Sequence, residues 1–382
     1  MSIINKLKSI DKLHYLLFAT LAYPLFYAIP EIVSIGYTFS LIYFISISGI
    51  LALSFITFKQ FKVNLSDLIT IVLMLLLIGI IAFQTNDPRY SKPLLFFSFV
   101  FLVFFASSLL RKQPEKSGKT IYFFTFFYLC LTVFSYLIPG NYLNERFIGF
   151  TLSPTIFSIY LETILILYLF RSDSSTRAKI LVFFLCFFFI YITKTRTNLL
   201  FLFYIPFYIV YTKHIRSPKI ISFAILITII VSFYPMYNSL REFQITKNFS
   251  GSRLESNNDA SYDTRTYLTK ICLDEIEQSS NVKLIFGHGS EYSRLLIEKF
   301  TGVDLFPHQD FLRFIIDFGL ITFILFLIIL YRLTKNSPIS FLLLILYLVS
   351  FYHNYIYSFY LLSLIILFRN KKQINSLNLK LD

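Results

Sequence analysis

Residues 306–319 read Phe306-Pro307-His308-Gln309-Asp310-Phe311-Leu312-Arg313-Phe314-Ile315-Ile316-Asp317-Phe318-Gly319, and they mark where a long polar segment gives way to an apolar run. A helix that starts here presents free N–H groups and the positive end of its dipole, which suits an anionic ligand. His308, Asp310 and Arg313 follow Pro307, with Asp317 a turn further in. If this helix crosses a membrane, each of these ionisable groups is costly to hold there and is a functional candidate for that reason.

Composition places it in a membrane. Hydrophobic residues make up 56% of the 382-residue chain and charged residues only 15%, where soluble domains carry about a quarter charged. The mean hydropathy is +0.67. That length supplies about a dozen spans of ~20 residues, in one membrane domain. The formal charge of +14 is explained by Lys and Arg in cytoplasmic loops; no continuous basic surface exists apart from those loops, which argues against nucleic acid. Cys130, Cys186 and Cys272 make no disulfide framework. The first apolar run follows Lys6, Lys8 and Lys12 and lacks a small-residue cleavage site, so it reads as a retained span.

Apolar runs predict spans over about 13–29 and 32–58, broken at Ile29-Pro30-Glu31, then about 65–84, 93–110, 120–138, 154–170, 178–193, 198–211, 219–237 and 309–331. The run from Pro338 to Phe368 is too long for one span and carries His353-Asn354 at its middle, so it divides into two short helices. The fold class expected is an all-α integral membrane protein of about twelve transmembrane helices. Charge tests the count. With the N-terminus inside, alternate loops hold Lys59 and Lys62, then Arg111 to Lys119, Arg171 to Lys179, Lys213 to Lys219, and Arg332 with Lys335. The opposite short loops hold only Arg89, Lys92, Arg146, Lys194 and Arg196. The basic loops all fall on one side, so both termini are expected to be cytoplasmic.

The boundaries that follow are residues 1–237 for helices one to nine, 238–308 for a large extracytoplasmic loop, and 309–382 for the last three helices and the tail. Within the loop, Asn248 to Asp263 is polar. Thr264–Gln278 and Glu291–Phe300 have helical apolar spacing and read as amphipathic helices on the membrane face, with Gly287-His288-Gly289 as a turn between them.

Five histidines are sorted by this topology. His14 and His214 fall inside, whereas His288, His308 and His353 fall outside; no metal-ligand spacing links them. Helix geometry puts Gly319 within about 20° of the His308 face, with Leu312, Ile315 and Thr322 on the same stripe. A face bearing Gly319 and Thr322 permits close approach of another helix. Arg313 and Asp317 form an i, i+4 pair whose expected role is mutual neutralisation. Roles for Asp310, His288 and His353 stay open. Arg146 and Arg196 occupy outward turns, each either snorkelling to lipid phosphate or binding a substrate anion. Arg265 lies on the apolar stripe of its helix, near Leu268 and Cys272, with the same two options. Three outward arginines suit a pyrophosphate, because guanidinium forks bind phosphate oxygens in pairs.

These stretches resemble the O-antigen ligase/polymerase family of bacterial polysaccharide assembly, whose fold is GT-C-like. Arg146-Phe147-Ile148-Gly149-Phe150 before Ser153-Pro154-Thr155 resembles its Arg-x-x-Gly loop, and Thr195-Arg196-Thr197-Asn198-Leu199 its Ser-Arg turn. Asp263-Thr264-Arg265 and Phe286-Gly287-His288-Gly289 resemble the Arg helix and Gly-x-Gly turn of its external loop. His308-Gln309-Asp310-Phe311-Leu312 with Gly319 resembles the start of the next helix. Thr322 stands where the family has a second glycine, Gln309 where Asn is commoner, and Thr195 where Ser is usual.

The resemblance implies an inverting glycosyltransferase that needs no metal or other cofactor and uses a polyprenyl-diphosphate-linked oligosaccharide as donor. On matching positions, His308 and Arg265 become the catalytic residues, and Arg196, Arg265 and Arg146 bind the diphosphate. The expectation is a polymerase of O-antigen or capsular polysaccharide, joining lipid-linked repeat units at the outer face of a bacterial inner membrane. The alternatives are a ligase transferring glycan to lipid A core, and a polysaccharide flippase. A flippase should show an internal repeat and charges lining mid-membrane positions, and neither is visible. Partners implied are the lipid-linked donor, the bilayer and, for a polymerase, a chain-length regulator protein.

Overall fold

The computed structural model describes residues 11–33, 48–49, 64–85, 87, 90–110, 117–138, 140–143, 145–151, 153–172, 174–214, 260–305, 307, 309–335, 337–350 and 358–369. Side chains at 26–33, 210–214, 260–266 and 359 fall outside that description. Thirteen helices and one small hairpin are described. Seven helices come first: α1 (Lys12–Val33), α2 (Leu65–Gln84), α3 (Lys92–Leu110), α4 (Ser117–Leu137), α5 (Pro154–Arg171), α6 (Thr176–Ile192) and α7 (Arg196–His214). Six more follow: α8 (Ala260–Gln278), α9 (Asn281–Phe286), α10 (Tyr292–Thr301), α11 (Asp310–Thr334), α12 (Pro338–Ser350) and α13 (Phe359–Leu367). The hairpin joins β1 (Tyr142–Leu143) to β2 (Arg146–Phe147), with Tyr142 opposite Phe147 and Leu143 opposite Arg146.

Five of the described helices, α2, α3, α4, α5 and α11, are long and apolar enough to cross a membrane. The chain is a multi-pass membrane protein. Helix α5 is its centre, 83% buried, and packs against α4, α6, α7 and α12. Its N-cap Ser153 and Pro154 at the first position set where the helix begins. Helices α2, α3 and α11 form a second group, joined to the first through α13 on α3 and α12 on α5. Apolar side chains on the outside of the bundle, such as Leu75, Phe126 and Phe184, remain exposed, as a lipid-facing surface requires.

Most helix limits agree with the apolar runs to within a few residues. The helix expected to break at Ile29-Pro30 instead continues to Val33; proline is tolerated inside apolar helices where neighbours re-satisfy the freed backbone group. The run beginning at Pro338 does divide. Ser340 Oγ donates to the Ile365 carbonyl at 2.9 Å, and Ser337 Oγ to that of Phe368, so α12 and α13 lie antiparallel. The expected spans at 32–58 and 219–237, the polar stretch 248–259, His308 and His353 lie wholly or mostly outside the described residues.

The polar segment differs from expectation in one respect. The apolar stripe of α8, with Leu268 and Cys272, packs on Ile297 of α10 and Ile316 of α11. Protein, not the membrane surface, covers it. Leu312 and Tyr292 close the same cluster.

Candidate functional site

The tight turn between α6 and α7 carries Thr193-Lys194-Thr195 and delivers Arg196 as the first residue of α7. Lys194 is left-handed, with φ 53°. Three hydroxyls lie beneath the turn. Thr193 Oγ1 and Thr195 Oγ1 are 2.6 Å apart, and Ser158 of α5 reaches them at 3.0 Å and 2.9 Å. All three residues are buried, so each hydroxyl satisfies another where water cannot. One turn into α7, Asn198 Nδ2 donates to Glu162 Oε2 of α5 at 2.7 Å. The turn is thereby pinned to the central helix at two levels.

The hairpin brings Arg146 to the same place. Phe147 is fully buried among Tyr136, Phe157 and Phe189, which seats the hairpin on α4, α5 and α6. Gly149, at φ 60°, follows it so closely that a Cβ would fall 2.8 Å from the Phe157 ring atom Cζ. Arg146 Nε then donates to the Thr193 carbonyl at 2.9 Å. Burial pulls the Arg146 guanidinium below its ordinary pKa, so an anion that restores its charge environment is favoured there. Lys194 Nζ lies 3.3 Å from Glu145 Oε2, both largely exposed; such surface pairs contribute little. Arg146 thus bonds to the turn that leads into Arg196, though the hairpin and the turn are far apart in sequence.

A second constellation surrounds the start of α11. Gly319 leaves helical geometry, with φ 81° and ψ 167°, and Gly287 lies against it at φ 84° and ψ 174°. A helix would have bonded the Ile316 and Asp317 carbonyls to amides four residues on. Here the turn supplies donors: His288 N–H to Ile316 and Gly289 N–H to Asp317, each 2.9 Å. The glycine expected to line a helix–helix seam therefore receives a loop turn, because its backbone is kinked at that point. Arg313 does lie near Asp317, at 3.8 Å, but its closer partner is Glu291 at 2.8 Å. Asp317 Oδ1 accepts the Ser293 amide at 2.7 Å. Arg313, Asp317 and Glu291 are all buried, so the trio fastens α10 to α11.

His288, left open by the sequence, belongs to this packing. Its Nε2 is 2.8 Å from Ser279 Oγ, and its ring stacks on Tyr292 at 4.2 Å. Tyr292 in turn donates to Glu275 at 2.9 Å. Asp310 is fully buried in the first turn of α11. Arg265 lies on α8, described for its backbone; its side chain, like all of His308, is outside the description. Among the described residues no three His, Cys, Asp or Glu side chains converge to hold a metal ion.

Residues 181–327 match a family model described as O-antigen ligase. That match, over less than half of the chain, supports membership of the O-antigen ligase/polymerase family. Members of this family are glycosyltransferase-like enzymes acting on lipid-linked glycans. A comparison with curated proteins finds no match. The matched stretch runs from α6 into α11 and contains the 193–195 turn, Arg196, Arg265, His308 and the Gly287–Gly319 contact. Arg146 and Glu162 lie outside it.

Two buried acids were not singled out from sequence. Glu162 is the only acidic residue of α5, and the rule that intramembrane charge marks function would have found it. Glu291 carries a weaker signal, a left-handed residue at φ 64° before α10, which only coordinates reveal.

Proposed function

We propose that this chain is a polysaccharide polymerase of the O-antigen ligase/polymerase family, transferring a glycan from a polyprenyl-diphosphate carrier to a sugar hydroxyl of another lipid-linked repeat unit. The observation that supports the diphosphate site is the 2.9 Å bond from Arg146 Nε to the Thr193 carbonyl, which ties the hairpin to the turn that precedes Arg196. In this reading the acceptor oxygen attacks the anomeric carbon from the face opposite the diphosphate, giving inversion. The carbon–oxygen bond to phosphate breaks, and its electron pair leaves on the diphosphate. His308 takes the acceptor proton, a role that suits a group titrating near neutrality.

Charge on the leaving diphosphate grows as the bond breaks. In this reading the guanidinium groups of Arg196 and Arg265, with Arg146 as a third, stabilise that transition state more than the ground state. No metal takes part in this scheme. The proposed site faces the outside of a bacterial inner membrane and draws on the hairpin, the 193–195 turn and the loop formed by residues 238–308, with both termini inside. Twelve spans and a chain-length regulator as partner complete the proposal.

The test is chain extension by the purified protein in liposomes, using a lipid-linked repeat unit and no added metal or nucleotide. Longer lipid-linked glycan is expected, and His308→Ala and Arg265→Ala should each abolish it. Full activity in both variants would overturn the site. The second reading is a ligase, favoured by the matched family's description. Under that reading the same protein would transfer glycan to lipid A core and leave the repeat unit unextended.

A further inference from the structure

We propose that residues 281–289 are a re-entrant element, and that Val282, Ile285 and Phe286, with Phe83 of α2, pack against the acyl chains of the bilayer.

Depth is the first argument. Arg332, near the last turn of α11, bonds to Thr70 Oγ1 at 2.9 Å and to the Ser66 carbonyl at 2.8 Å, so those residues of α2 share its level. From Arg332 back to Gly319 is about 20 Å of helix at ~1.5 Å per residue. From Thr70 up to Gln84 is about 20 Å by the same measure, and from Ser66 about 27 Å. The hydrocarbon core is about 30 Å thick. With Arg332 at one polar boundary, the Gly287–Gly319 contact lies roughly 10 Å inside the other, and the neighbouring Gln84 roughly 3–10 Å inside it. Helix tilt would bring them deeper.

The backbone is built for such a position. Irregular chain at membrane depth is tolerated only where protein satisfies its polar groups. Four successive amides here do so without water: Gly287 to Lys283 O at 2.7 Å, His288 to Ile316 O at 2.9 Å, Gly289 to Asp317 O at 2.9 Å, and Ser290 to Gln84 O at 3.2 Å. Ser290 Oγ reaches the Tyr90 carbonyl at 2.8 Å, and Gln84 Nε2 donates to the Phe286 carbonyl.

The side chains divide accordingly. No residue of α9 is buried by protein. Phe83 is 87% exposed, Val282 66% and Phe286 56%. They continue the exposed apolar strip of α2 formed by Leu68, Val72, Leu75 and Leu76. Left in water, this would be a large contiguous apolar patch of the kind monomeric proteins avoid. Lys283, the charged member of α9, has a stem long enough to reach headgroups.

The chain contains no tryptophan, so one introduced indole reports alone. Phe286→Trp and Val282→Trp are reconstituted into phosphatidylcholine vesicles brominated at defined acyl positions. Phe126→Trp, at a 66% exposed site on α4, serves as the reference. Phe286→Trp should lose at least half its emission to bromine on the acyl chain, and Val282→Trp should respond to shallower bromines. Quenching of Phe126→Trp with neither α9 variant affected overturns the proposal; a second copy or a protein segment over this face would give that outcome. If all three stay unquenched, the proposal falls together with the membrane placement.

Discussion

Gly287 and Gly319 stand back to back: a Cβ on Gly287 would lie 2.6 Å from the Phe318 carbonyl carbon, and one on Gly319 would lie 2.5 Å from the Gly287 nitrogen. Both adopt backbone angles that are essentially glycine-only. Neither neighbour can yield, because the contacts are to main chain. Gly287→Ala or Gly319→Ala should therefore cost about 2–4 kcal/mol, seen as a fall of several degrees in the detergent melting temperature. Gly302→Ala, at φ 68° with open space around it, should cost less.

Arg313 and Glu291 form a buried pair at 2.8 Å. Removing one partner strands the other, so Arg313→Met or Glu291→Leu alone should destabilise by roughly 3–5 kcal/mol. The double variant should recover only part of that loss, because buried Asp317 still loses Arg313. Asp317 stays beside Arg313 at 3.8 Å, so Asp317→Asn is also expected to weaken the helix junction. Thermal unfolding followed by size-exclusion chromatography measures all four.

Arg196 and Arg146 differ in how the protein holds them. Arg196 opens a helix and is exposed, whereas Arg146 is half-buried with one nitrogen engaged by Thr193. Arg196→Ala should reduce glycan transfer by about 100-fold or more, in line with loss of a transition-state charge contact. Arg146→Ala should reduce it by roughly tenfold. Lysine at either position should restore only part of the rate, since an ammonium lacks the planar fork. Transfer assays at saturating donor distinguish these outcomes.

Glu162 and Asn198 tie α5 to the first turn of α7 at 2.7 Å. Glu162→Ala leaves a buried amide without its acceptor, a cost of about 1–3 kcal/mol, and should lower transfer by displacing Arg196. Glu162→Gln keeps an oxygen for Asn198 and should retain most activity. Equal activity in the alanine and glutamine variants would remove Glu162 from the support of the site.

Much of the architecture was legible in the chain. Leu65–Gln84, Lys92–Leu110 and Pro154–Arg171 appear as apolar runs because a helix satisfies its own backbone, so hydropathy alone marks it. The Gly-His-Gly turn and the stop at Gly302 followed from glycine's access to positive φ. What periodicity misjudged was Gly319, read as a smooth helical position when a kink exposes its carbonyls to the turn. Glu291 was missed because its partner Arg313 comes from another element, and a nearer acid, Asp317, already explained that arginine.

The sequence by itself determined the membrane class and most helix limits, since each rests on local composition, and its short motifs pointed to the family that the match at residues 181–327 supports. Only the tertiary structure decided that Arg146 bonds to the turn before Arg196, that Ser158 and Glu162 hold that turn from below, and that Gly287 meets Gly319. Those relationships depend on side chains and carbonyls from elements far apart in the chain, which close packing brings within hydrogen-bond reach and no local pattern encodes.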